Sequence, residues 1–246
     1  MTMNEIAARG FAASGDVYER GRPDYPEAAV AAIVEHARLG PGRRVVDLAA
    51  GTGMLTRALA ARGLEVVAVE PVAEMRALIE RGPRVRVLDG AAEAIPVAGA
   101  SADAVTVAQA FHWFHGPRAL AEIHRVLRRG GVLALVFNRR RLEDAIHRRI
   151  GELLEPHRGD VPAHADESWR AIVDASELFE LGPAETFENE QRLDGDGLVD
   201  RFGSVSFVAA LDEQRQAALL AALRALAGDG VVTLRYTTEV DILRRA

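Results

Sequence analysis

The chain contains no cysteine and no lysine. Without cysteine it has no disulfides, no thiolate metal ligands and no thiol nucleophile. Without lysine, all 30 basic residues are arginines. Their planar guanidinium groups pair bidentately with carboxylates and phosphates, so a run such as Arg139-Arg140-Arg141 can dock an anion or serve as a solvated charged face. Heavy use of Ala and Arg fits a base-composition bias in the coding DNA. No apolar run approaches the roughly 20 residues that span a bilayer. Residues 1–10 lack the basic segment and apolar core of a secretion signal, so a cytoplasmic location without membrane partners is expected. Net charge is −6, which argues against a nucleic-acid partner, because phosphate neutralisation needs a concentrated basic face.

What is present is an ordinary globular composition, 49% hydrophobic and 27% charged over 246 residues, enough for one α/β domain with a substantial core. The central signal is Val45-Val46-Asp47-Leu48-Ala49-Ala50-Gly51-Thr52-Gly53 followed by Met54–Ala61. An apolar run ends near an Asp, small residues and glycines follow, and a helical apolar pattern begins: a strand, a tight loop and a helix start. Gly51 and Gly53 have no Cβ, so a ligand can lie against the main chain there, facing the free N–H groups of the helix.

Strand signals at Arg44–Leu48, Glu65–Val69, Arg84–Leu88, Ala104–Ala108 and Val132–Phe137 alternate with helical patterns at about 53–62, 72–81 and 117–129. Near-continuous apolar runs are expected where helices cover both faces of a parallel sheet, and the alternation predicts a three-layer, doubly wound, Rossmann-like sheet. Ligands of such sheets lie over the carboxyl ends of the strands, where Asp47, Glu70, Asp89 and Gln109 fall. Arg62-Gly63, Arg81-Gly82-Pro83 and Arg129-Gly130-Gly131 read as helix stops. A further helix is expected over 26–39. Residues 139–182 read as mainly helical, with strands at 184–193 and 231–243 and helices near 196–202 and 212–227. The expected organisation is a single domain over 1–246, made of an N-terminal arm or lid (1–25), a cofactor-binding core (26–138), and a helical insertion with the last two strands (139–246).

Asp47, the Ala-Ala-Gly-Thr-Gly loop and Glu70 closing the next strand resemble the class I S-adenosylmethionine-dependent methyltransferases. Four further segments narrow the likeness: Tyr18 with Arg22-Pro23-Asp24-Tyr25-Pro26, Glu70-Pro71 with Met75, Gln109-Ala110-Phe111-His112-Trp113-Phe114, and Arg125–Gly131. Together they are similar to the small-molecule branch that includes trans-aconitate methyltransferase-like enzymes, closely over residues 10–140. The resemblance implies a seven-stranded sheet in the order 3-2-1-4-5-7-6 with strand 7 antiparallel. It implies methyl transfer from S-adenosylmethionine to a small-molecule carboxylate or hydroxyl, with S-adenosylhomocysteine as product.

It also implies residue roles. Asp47, Thr52 and the backbone of Ala49, Gly51 and Gly53 should line the methionine part of the cofactor, and Glu70 should accept both ribose hydroxyls. Pro71 and Met75 should pack on adenine, with backbone groups of Ala92 and Glu93 at its edge. Gln109 opens the loop toward the sulfonium, and Tyr18 and Arg22 close over the carboxylate. Phe111 and Trp113 are the substrate-binding candidates. For a hydroxyl acceptor, His112 is the candidate general base, because its unperturbed pKa lies near neutrality.

Two positions depart from the family pattern. Ala49 stands where Gly is common, so a turn that tolerates a Cβ is expected there. Ala91 stands where many relatives carry an acidic residue for the adenine amino group, leaving Asp89 as a substitute or the adenine to backbone and packing. His112, His115, His157, Asp160, His164 and Asp166 match no zinc spacing, so no metal is expected. Two other readings remain: a non-catalytic protein binding S-adenosylmethionine or another small ligand, and a nicotinamide-dependent oxidoreductase. The second is disfavoured by a loop of the form A-x-G-x-G, with Arg57 where a third close-packing small residue would stand.

Overall fold

Short Val-rich runs that cannot hide their apolar side chains alone dictate the architecture. In the computed structural model, which describes residues 21–159 and 168–246, they become the strands β1 (Arg44–Leu48), β2 (Glu65–Val69), β3 (Val85–Leu88) and β4 (Ala102–Ala108). β1 pairs in parallel with β2 and with β4, with Asp47 beside Ala68 on one side and Thr106 on the other. β5 (Leu127–Arg140), β6 (Phe179–Leu193) and β7 (Val232–Arg245) complete a seven-stranded sheet in the order 3-2-1-4-5-7-6 with β7 antiparallel. Tyr18 and the rest of the arm before residue 21 lie outside the described residues, as do Asp160, His164 and Asp166.

The chain divides into two compact units. The larger comprises Tyr25–Asn138, Asp166–Phe187 and Thr238–Ala246. It contains helices α1 (Glu27–His36), α2 (Met54–Ala60), α3 (Ala73–Leu78), α4 (Gly116–Val126) and α6 (Ser168–Asp174). Its main core joins Val46, Leu48, Val105 and Val107 to Leu120, Ile123, Phe137 and Trp169. Full burial of each such side chain contributes about 1.5–3 kcal/mol before chain entropy is counted. Trp169 stacks on Phe137 with ring centroids 4.7 Å apart.

The smaller unit comprises Met1–Asp24, Arg139–Ala165 and Glu188–Thr237. Its helices are α5 (Ala145–Leu154), α7 (Gly195–Gly203), α8 (Ser206–Ala209) and α9 (Glu213–Ala225). Ile150, Leu154, Leu198, Phe202, Leu223 and Tyr236 form its core. Asp194 and Asp212 cap α7 and α9 by accepting from the N–H groups of Gly197 and Arg215. Among the described residues, no helix is long and apolar enough to cross a membrane.

Two boundaries differ from expectation. Arg129-Gly130-Gly131 does not end a helix: α4 stops at Val126 and these residues lie within β5. The register there shifts between Ala102 and Ala104, and Gly130 has φ +71°. Glycine is needed because the chain kinks and approaches its neighbour; a Cβ on Gly131 would lie 2.8 Å from the Arg128 carbonyl oxygen. β6 begins at Phe179, inside the stretch read as helical, and includes Gly182 and Pro183. β6 is an edge strand, where a proline's missing N–H is tolerated, so the breaker residues that hid the strand in the sequence do not interrupt it.

Candidate functional site

The site is built at the carboxyl ends of β1 to β4. Asp47 is 1% exposed. The hydroxyls of Thr56, on α2, and Thr106, on β4, donate to its two carboxylate oxygens at 2.6 and 2.8 Å. Burial pushes its carboxyl up to about 6 although both threonine bonds pull the other way. Asp47 thus clamps the end of β1 to the helix after it and the strand beside it. Neither threonine was singled out by sequence, although Thr106 is the lone polar residue of the apolar run Ala104–Ala108.

The loop that follows turns through left-handed backbone. Ala49, Gly51 and Gly53 have φ of +54°, +59° and +87°. The expectation that the turn at Ala49 would suit a Cβ is overturned: the loop keeps the glycine-type conformation and the alanine adopts it, a strain of about 1–2 kcal/mol. Gln109, at the end of β4, has φ +58°. Strained non-glycine residues at two neighbouring strand ends are what a loop shaped for a ligand displays. A Cβ on Gly51 would meet nothing within 4 Å, whereas one on Gly53 would press on Ile79 at 3.1 Å. Gly51 therefore leaves open space and Gly53 allows packing.

Glu70 closes β2 and is 4% exposed. Its Oε2 accepts from the Gly51 N–H at 2.9 Å and its Oε1 from the Val72 N–H at 2.8 Å. Burial raises its pKa against those bonds and against the nearby Arg76. Arg76 donates to the carbonyl oxygens of Glu70 and Pro71 at 2.7 and 2.9 Å and pairs with Asp89 at 3.2 Å. It fastens the loops after β2 and β3 together, a role not read from the sequence, and it engages the carboxylate considered for adenine.

Of the other predicted residues, Met75 and Ala92 are buried and Pro71 is exposed. Glu93 accepts from the His115 N–H at 2.7 Å, tying its loop to the start of α4. Phe111 is 1% exposed and packs in the core against Phe114 and Trp169. Its place in the core is shared with the neighbouring aromatic rings. Trp113 is half-buried, with the His112 ring 4.8 Å from its own. The His112 ring also lies 6.1 Å from Phe137. Arg22 belongs to the smaller unit, where it is one of the cations around Arg140.

Three features fit a nucleoside-bearing ligand. Gly51 leaves the loop open, Thr52 Oγ1 is buried with no hydrogen-bond partner, and each Glu70 oxygen accepts one backbone N–H, leaving lone pairs for hydroxyls. A cavity of about 520 Å³, lined in part by Arg44, Glu65, Arg84 and Arg86, opens at the opposite ends of the strands and shares none of these residues.

Residues 46–135 match the methyltransferase domain family. An uncharacterized methyltransferase of Mycobacterium tuberculosis is 38% identical over 238 residues, covering 93% of this chain and 92% of the relative. The chain belongs to the class I S-adenosylmethionine-dependent methyltransferases. A solved structure described as a type II methyltransferase of Anaeromyxobacter dehalogenans superposes on this methyltransferase with a TM-score of 0.68. It is 28% identical, covering 91% of this chain and 97% of that one. Geranyl diphosphate methyltransferase, solved in complex with SAM, has a TM-score of 0.52 at 16% identity, covering 89% of this chain and 85% of its own, and shares the fold alone.

Proposed function

We propose that the protein binds S-adenosylmethionine at the ends of β1 and β2 and transfers its methyl group to a small-molecule carboxylate or hydroxyl. The observation that carries this reading is Glu70: a buried carboxylate at the end of β2, oriented by two backbone N–H groups beside an open left-handed loop. Glu70 would receive the ribose hydroxyls, Thr52 and the backbone of Ala49, Gly51 and Gly53 the methionine part, and Pro71, Met75, Ala92 and Glu93 the adenine. When bound, S-adenosylmethionine supplies a methyl group on a sulfonium that needs no activation by the protein. The protein's work is then to align the acceptor and exclude water. A carboxylate acceptor requires no base; for a hydroxyl acceptor, an imidazole nitrogen of His112 takes the proton. Gln109, held in left-handed backbone, sets the loop that presents His112 and Trp113.

Calorimetric titration with S-adenosylmethionine and, separately, with NADH tests the cofactor. Binding of NADH alone rejects the reading. Incubation with a panel of small acids and phenols, followed by mass spectrometry, tests turnover; tight binding with no methylated product would favour a non-catalytic binding protein.

A further inference from the structure

Among the described residues of the smaller unit, Arg201 is buried and Arg140 partly so, and neither forms an ion pair with a carboxylate, although Asp144 nearby buries its Oδ2. Arg201, in the last turn of α7, is 3% exposed. Its Nε donates to the Tyr236 hydroxyl at 3.3 Å, that hydroxyl donates to Gln191 Oε1 at 3.3 Å, and Gln191 Nε2 donates to the Gly21 carbonyl oxygen at 3.0 Å. Every member of this chain beyond Arg201 is uncharged. The network orients the guanidinium without neutralising it.

Arg140 faces the same tyrosine. The Arg141 N–H donates to the Arg235 carbonyl oxygen at 3.1 Å, and in an antiparallel pair the residue before the one lies opposite the residue after the other. Arg140 and Tyr236 are therefore directly opposed, with side chains on one face of the sheet. The Nε of Arg140 is buried and bonds to nothing. Burial, then Arg201, Arg158 and Arg22, hold its pKa down to about 10. Arg158 has its own partner, Glu155, at 2.9 Å. Asp144, the carboxylate that acts on neighbouring His147, lies 4.0 Å from Arg235.

His147 is fully buried, and its Nε2 donates to the Arg235 carbonyl oxygen at 2.8 Å, while its Nδ1 has no partner. Burial, with Arg140 and Arg201, lowers its pKa, so the imidazole adds no further charge. Burying a charge unpaired is among the costliest arrangements a fold can keep. A ligand bearing the opposite charge removes that cost.

We propose that Arg140, Arg201 and Tyr236 form a binding site for the carboxylate of a small organic acid. A planar two-oxygen group matches the guanidinium fork edge to edge. Phosphate sites are typically built from successive backbone N–H groups or a helix N-terminus; here the donors are side chains, one on the last residue of β5 and one in the last turn of its helix. The site lies wholly within the smaller unit, and its assignment does not depend on the cofactor reading.

The test is calorimetric titration of the full chain at neutral pH with acetate, succinate, benzoate and inorganic phosphate at matched ionic strength, alongside a separate titration with S-adenosylhomocysteine. At least one of the acids is expected to bind. Arg140→Met and Arg201→Met should each weaken that acid about tenfold or more, the scale of a lost charged hydrogen bond, and leave the affinity for S-adenosylhomocysteine unchanged. Since Arg201 is fully packed, Arg140→Lys gives a second reading: it keeps the charge, loses the fork and should still weaken the acid. Saturating acid should also raise the thermal midpoint of the wild type but not that of Arg140→Met. Binding of none of the acids, binding of phosphate alone, or a parallel loss of S-adenosylhomocysteine affinity overturns the proposal. Acid binding in a protein that ignores S-adenosylhomocysteine supports this site and removes the cofactor reading instead.

Discussion

The Gly51 N–H donates to Glu70 Oε2 at 2.9 Å, so a carboxylate at the end of one strand holds the loop at the end of its neighbour. Glu70 shapes the site and is also the residue proposed to receive the ribose. Glu70→Ala should therefore weaken S-adenosylhomocysteine by roughly 1.5–3 kcal/mol from the ribose contacts, with a further loss as the loop relaxes. Glu70→Gln should not rescue it, because the amide turns a donor toward either the Gly51 or the Val72 N–H. Calorimetry on the folded variants measures both; wild-type affinity in Glu70→Ala rejects the ribose assignment.

Ala49 carries φ +54° where a glycine would carry it freely. Ala49→Gly removes about 1–2 kcal/mol of left-handed strain and adds about 0.5–1 kcal/mol of unfolded-chain entropy. A net gain of about 0.5–1 kcal/mol is expected, read as a higher urea midpoint with an unchanged slope. A lower midpoint would mean that the Ala49 methyl, which packs against the main core, outweighs the strain.

The sheet was legible because its signals are local. Val45–Leu48 and Glu65–Val69 are short apolar runs bounded by polar and glycine residues, and a strand buried on both faces can look like little else. The alternation Leu234, Tyr236, Thr238, Val240, Ile242 likewise matches the buried positions of β7. What the sequence hid is non-local. Thr56 and Thr106 meet at Asp47 from nine and 59 residues away, and Arg76 joins two loops. No periodicity announces either arrangement. The left-handed turn at Ala49 ran against residue preference, as strained functional loops do. Arg140 showed only as part of an arginine run; its burial opposite Tyr236 depends on the register of β5 and β7.

His112 is half-buried between the rings of Trp113 and Phe137. If the acceptor is a hydroxyl, His112→Ala should lower kcat about 100-fold or more, the scale of general-base catalysis, with cofactor affinity unchanged. The wild-type rate should then rise with pH as the imidazole loses its proton, a limb the variant lacks. If the acceptor is a carboxylate, the variant should keep most of its rate and show no such limb. Turnover against pH for both proteins separates the two acceptor classes.

Asp47 makes the fold itself sensitive to pH. Its carboxyl is raised from 3.8 to about 6 by burial, so between those values the folded state holds a proton that the unfolded chain has released. The associated stability is fully present below about 3.8 and is lost as pH rises through about 6. The shift corresponds to a change on the order of 3 kcal/mol. Other groups titrate in the same window, so the informative quantity is a difference. Asp47→Asn cannot ionise, and its amide can exchange hydrogen bonds with Thr56 and Thr106, whose hydroxyls both donate and accept. The stability of the variant relative to wild type should therefore improve as pH is raised from 4 to 7, whatever the constant cost of the altered bonds. Urea unfolding of both proteins across that range measures it. Parallel curves would mean that the two threonines already hold Asp47 ionised at acid pH and that burial does not dominate its titration.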